Sequence, residues 1–149
     1  MACDEAVASL VQAKRVATLG HPTIVEAALS GFLGRGYFEP HLSKLQGELD
    51  RRYLVCRECL RAEMPEGVKW STPGGGPILW LQFPEPVDVT LLAHQVTERG
   101  VLVTPAREAF FGAPHLRGLR LGYAFPCEEE LTVGVSIVAN EVRRQLRRT

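Results

Sequence analysis

Up to Pro65 the apolar positions recur at three- and four-residue intervals, and beyond it the period changes. Val7, Leu10, Val11 and Val16 mark one face of a first helix over residues 4–19, which Gly20, His21 and Pro22 break. Thr23 is placed to cap a second helix with the face Val25, Ala28, Leu29, Phe32 and Leu33, ended by Gly34 and Gly36. A third helix has Pro40 in its first turn. It carries the long stripe Leu42, Leu45, Leu49, Cys56 and Leu60, with Tyr53 beside it, and stops at Pro65, Glu66 and Gly67.

The second half reads as strands and shorter helices. Residues 68–71 form a short strand, 72–77 a turn, and 78–83 a stronger strand rich in aromatic and branched residues. Asp88 caps a helix through Val89, Leu92 and Val96, closed by Gly100. Residues 101–103 are a third strand and, after a loop, 119–124 a fourth. A closing helix opens on Glu128, Glu129 and Glu130 and runs through Leu131, Val135, Val138, Val142 and Leu146. This order predicts an α+β fold: N-terminal long helices followed by a small, mainly antiparallel sheet with helices packed on one face. No repeat, low-complexity tract or linker divides the chain, so residues 1–149 read as a single domain.

Composition narrows the function classes. The chain has 149 residues, 46% of them apolar and 23% charged, which suits one globular domain with a real core. No apolar run reaches the roughly 18 to 20 residues that a membrane span needs, and Asp4 and Glu5 stand where a signal peptide carries basic residues. A cytoplasmic location and no membrane partner are expected. Lys plus Arg is 17 and Asp plus Glu is 17, so the chain lacks the positive field of a nucleic-acid binder. Arg143, Arg144, Arg147 and Arg148 could touch phosphate, but they read better as complements to the negative end of the closing helix.

Cys56 and Cys59 are the one cysteine pair at metal-ligand spacing, within a helix, while His21, His41, His94 and His115 are scattered singly. Ordinary thiols fit this better than a metal site. Gly74, Gly75 and Gly76 lack the lysine and following helix of a phosphate loop and read as a hairpin turn. Trp70 and Trp80 flank that turn as core or interface aromatics.

One side chain draws notice by its neighbours. On a strand, Leu119, Leu121 and Tyr123 share one face, and Arg120, Gly122 and Ala124 share the other. The first face suits a core. The second sets an arginine beside a glycine and an alanine, which leaves room for a small ligand. The same pattern also describes a surface arginine on a half-exposed sheet. Arg117 is the nearest alternative, but Gly118 places it in a loop.

Four segments together resemble one known family. Gly36, Tyr37, Phe38, Glu39, Pro40, His41 and Leu42, leading on to Arg51 and Arg52, are similar to its long helix and trailing arginines. Trp70 through the glycine triplet to Pro77, Ile78, Leu79 and Trp80 resembles its hairpin. Gly100, Val101, Leu102, Val103, Thr104 and Pro105, followed by Phe110, resemble its loop, and Leu119, Arg120, Leu121, Gly122, Tyr123 and Ala124 its last strand. The chain thereby looks like the C-terminal small domain of class I/II, fold-type I aminotransferases dependent on pyridoxal phosphate (PLP). It most resembles the branch of aminoadipate and kynurenine aminotransferases and of GntR-type regulator–aminotransferase fusions. Ala106 and Leu49 depart from the pattern, where the family more often has glycine and tyrosine.

The resemblance implies that Arg120 grips the α-carboxylate of an amino acid or 2-oxo acid. It also implies that residues 1–20 are the interdomain helix, resting on a large domain or, failing that, on a homodimer partner. The family's Schiff-base lysine and other PLP contacts lie upstream of the matching segments. The lysines here are Lys14, Lys44 and Lys69, and Lys44 lacks the glycine and proline context of the family's lysine. The expectation is therefore PLP in the intact family protein, none bound to this chain alone, and no transamination by it alone. The alternative is a non-catalytic interaction or effector-sensing module derived from an aminotransferase-like regulator.

Overall fold

The computed structural model describes residues 3–18, 20, 22–113 and 116–148. The expected roles of Leu19 in the first helix and of His21 in ending it lie outside the described residues, as does His115. The chain divides into two compact units, Met1–Lys44 and Leu45–Thr149.

The first unit holds α1 (Asp4–Thr18), α2 (Thr23–Gly34) and the start of α3 (Phe38–Glu63). In α1 the expected face of Val7, Leu10 and Val11 is exposed, as is Val16. Pro22, not Thr23, occupies the capping position of α2, and no side chain caps it. The proline ring supplies the fixed φ of an entry residue, −70°, and the Pro22 carbonyl accepts from Val25 N at 2.9 Å, so Thr23 is already helical. The far end is closed by Gly36 at φ +72°. Its N–H donates to Leu33 O at 3.0 Å and the Tyr37 N–H to Phe32 O at 3.2 Å, a left-handed cap that glycine adopts without strain. The Tyr37 and His41 rings lie 6.1 and 6.0 Å from that of Phe32.

The second unit contains the sheet. Strands β1 (Lys69–Trp70), β2 (Ile78–Gln82), β3 (Thr104–Pro105) and β4 (Gly118–Gly122) form four antiparallel strands in the order β1-β2-β4-β3. Leu79, Leu81, Leu119 and Leu121 are buried on one face, as the alternation predicts, and Tyr123 continues that face. They pack in one cluster with Leu92 and Val96 of α4 (Val89–Thr97), Val135 and Val138 of α6 (Glu128–Leu146), and Cys56 and Leu60 of α3. Each fully buried leucine contributes about 1.5–3 kcal/mol relative to exposure, so this face holds the sheet to its helices.

The caps of the second unit follow the sequence. Asp88 accepts from Thr90 N at 2.9 Å and Leu91 N at 3.0 Å at the start of α4. Gly100, at φ +84°, closes that helix by donating to Thr97 O at 2.9 Å. At the start of α6 the Glu130 carboxylate accepts from Cys127 N at 2.8 Å.

The third strand differs from expectation. Residues 101–103 are not a strand, and pairing begins at Thr104, opposite Arg120. Val101 and Val103 pack against the core while Leu102 is 84% exposed, so their alternation reflects packing on helices and not a ladder. A four-residue helix α5 (Ala106–Ala109) follows, where the sequence suggested only a loop. Arg143 and Arg144 stand in the last turn of α6, at the negative end of its dipole. Arg143 also donates to the carbonyl of Glu63, the last residue of α3, and Arg144 pairs with Glu141 at 3.2 Å.

Candidate substrate-binding site

The sheet face turned away from the core is built around Arg120. Trp80 of β2 is its partner on one side and Thr104 of β3 on the other. The Arg120 guanidinium is exposed and donates through Nη2 to Thr104 Oγ1 at 3.3 Å, a long contact to a neutral hydroxyl. Among the described residues it makes no ion pair, unlike most of its fellow arginines. Arg117, for example, sits in the loop before β4, pairing with Glu85 at 2.6 Å and donating to Val87 O at 2.7 Å, a structural clasp between loops.

Glycines flank Arg120 along β4 and do different work. A Cβ on Gly118 would lie 2.3 Å from Leu81 O and 2.7 Å from Trp80 Nε1, so only glycine lets the indole lie over the strand there. The Trp80 ring is then met edge-on by Phe110, centroids 6.0 Å apart at 87°. At Gly122 a Cβ would meet nothing within 4 Å. Arg120 thus has an aromatic wall on one side and open space on the other.

Sequence reasoning singled out Arg120 but not the residues around it. Trp80 and Thr104 come to it from β2 and β3, and Phe110, after α5, packs on Trp80; the alternation within β4 carries no signal for them. Trp80, expected in a core or interface, is half-buried on this face.

A larger cleft, of about 720 Å³, opens between 100–102 and the segment 121–137, with Ile78, Leu102, Phe125 and Val133 among its apolar walls. It includes Gly122 but not Arg120.

The remaining candidates fall into place individually. Lys14, Lys44 and Lys69 are all exposed, and none lines the 720 Å³ cleft. Standing on open surface, they offer PLP no enclosed lysine among the described residues. Cys56 is buried in the core beside α6, its thiol pushed up to about 12 by burial and, secondarily, by Cys59. Cys59 lies at the edge, its sulfur 3.5 Å from Thr132 Oγ1. The glycine triplet forms the bend between β1 and β2, and Gly76 O accepts from the Tyr123 hydroxyl. Burial raises the Tyr123 phenol, with Tyr53 nearby adding to it. No helix among the described residues is long and apolar enough to cross a membrane.

The small antiparallel sheet buries one face against its helices and turns Arg120 outward on the other. No family model matches the chain. The aromatic-amino-acid aminotransferase 1 of Thermococcus litoralis is 29% identical over 114 residues, covering 76% of this chain and 27% of that protein. The HTH-type transcriptional regulator YisV of Bacillus subtilis is 23% identical over 141 residues, covering 95% of this chain and 29% of its own length. The crystal structure of a multiple substrate aminotransferase from Thermococcus profundus superposes with a TM-score of 0.85 at 26% identity, over 99% of this chain and 37% of that one. Other relatives and structural neighbours include the 2-aminoadipate transaminase and the α-aminoadipate aminotransferase of Thermus thermophilus, so the chain is similar to one part of aminotransferases and of HTH-type regulators. It spans about a third of the length of the curated relatives it matches.

Proposed function

We propose that this chain is the C-terminal part of a PLP-dependent aminotransferase, where Arg120 holds the α-carboxylate of an amino acid or 2-oxo acid. The supporting observation is an exposed guanidinium with no ion pair among the described residues, between Trp80 and Thr104. A guanidinium presents a rigid planar fork that matches both carboxylate oxygens, whereas a lysine offers one compact charge. Thr104 Oγ1 accepts from one arm of the fork, and the rest stays open to a ligand. Held in this way, the substrate's carboxylate sets the direction in which its Cα bonds point, which is a positioning effect.

In this reading the chain supplies the clamp and part of a wall, and no residue that chemically transfers the amino group. The cofactor lysine and the large domain belong to the rest of the protein, and α1 rests on that large domain or on a homodimer partner. Alone, the chain binds a carboxylate at about millimolar, roughly 4 kcal/mol, and catalyses no transamination. A cytoplasmic setting and no nucleic-acid or membrane partner complete the proposal.

The test is to add PLP to the purified chain, reduce with borohydride and measure the intact mass. No stoichiometric adduct is expected; a single adduct lost on replacing Lys14, Lys44 or Lys69 would overturn the reading. A second reading has support from the regulator relatives: the same clamp acting as an effector sensor. The segment encoded upstream, a large catalytic domain or a winged helix joined to one lacking activity, separates the two.

A further inference from the structure

A second concavity, of about 320 Å³, lies where the end of α4 meets the last turns of α6, and Arg99, Asn140, Arg143, Arg144 and Arg147 line it. Glu141 is the carboxylate paired with them. It is 1% exposed and lies 3.0 Å from Arg99 and 3.2 Å from Arg144. Among the described residues, Glu141 is the one carboxylate paired with any of these four guanidinium charges. Arg143 gives its donors to neutral acceptors, Asn140 Oδ1 at 3.0 Å and the Glu63 carbonyl, while the Glu63 carboxylate accepts from Ser136 Oγ at 2.6 Å. Arg147 is exposed and has no side-chain partner among the described residues.

This arrangement is costly without a ligand, because like charges share a small space. The negative end of α6 relieves only roughly half a charge. Glu141 holds Arg99 and Arg144 in place before anything binds, which lowers the entropy cost of binding. Arg99, just past α4, and the arginines at the end of α6 line the same cavity. That convergence suits a tetrahedral group with several oxygens better than a planar monoanion, which one fork satisfies.

We infer that this cavity binds a compact dianion of the phosphate type, either inorganic phosphate or the phosphoryl group of a small metabolite. The site shares no residue with the Arg120 face and stands or falls separately from it. A nucleic-acid backbone is disfavoured, since the charge is confined to one cavity on a chain of zero net charge.

The experiment is a calorimetric titration of the whole chain, at fixed chloride, with inorganic phosphate and separately with phenyl phosphate. Saturable binding at one site is expected for at least one of them. Tighter binding of phenyl phosphate identifies a metabolite's phosphoryl group, and equal or tighter binding of phosphate identifies the free ion. Arg147→Gln, which removes a partnerless exposed side chain and spares the fold, weakens binding at least about tenfold. Arg148→Gln, one residue on and outside the cavity lining, changes it less than about twofold. Equal losses in both variants, or no saturable binding of either probe, would overturn the inference.

Discussion

Arg120 and Trp80 are direct partners across the β2–β4 ladder, yet the indole leans over Gly118, two residues away, and leaves the guanidinium uncovered. One missing Cβ governs this. Adding it puts carbon 2.3 Å from Leu81 O, which is backbone and cannot move aside cheaply. Gly118→Ala is therefore expected to cost about 1–3 kcal/mol or more by overpacking and to shift Trp80. Urea unfolding and tryptophan fluorescence measure both, and an unchanged midpoint with unchanged emission would contradict the packing described.

The Asp88 carboxylate satisfies two backbone donors at the start of α4. Replacing it with alanine should lower stability by about 1 kcal/mol, with Asp88→Asn recovering much of the loss. Paired urea curves of the two variants provide the check.

Alkaline pH should destabilise the chain through Cys56. Folding raises its thiol from the ordinary 9.0 to about 12, so the unfolded state releases a proton where the folded state keeps it. Fewer protons on the unfolded chain mean that stability falls with pH across that window. Cys56→Ala should flatten the fall while lowering stability at neutral pH. A thiol reagent at pH 8 should meanwhile modify exposed Cys3 and Cys127 and spare Cys56 until the chain unfolds.

Much of this was legible in the sequence because the relevant signals are local. The alternation of Leu119, Arg120 and Leu121 determines which face is buried, and Asp88, Gly36 and Gly100 mark helix ends through their own backbone needs. Pairing is not local. Nothing within residues 101–103 tells whether their alternating valines answer a neighbouring strand or the helices beneath, and the helices won. Likewise Arg143 reaches the end of α3, 80 residues earlier, a partner that charge patterning within one helix cannot reveal. The four segments of family resemblance pointed to Arg120, but its Trp80, Thr104 and Phe110 surroundings required the fold.

Binding of a 2-oxo acid to the chain, followed by NMR of its arginine side-chain resonances, tests the Arg120 assignment most directly. The account predicts saturable shifts at about millimolar 2-oxo acid, abolished by Arg120→Ala and weakened by Arg120→Lys, with none from the matching neutral amide. Equal responses in the Arg120→Ala and wild-type chains would contradict it.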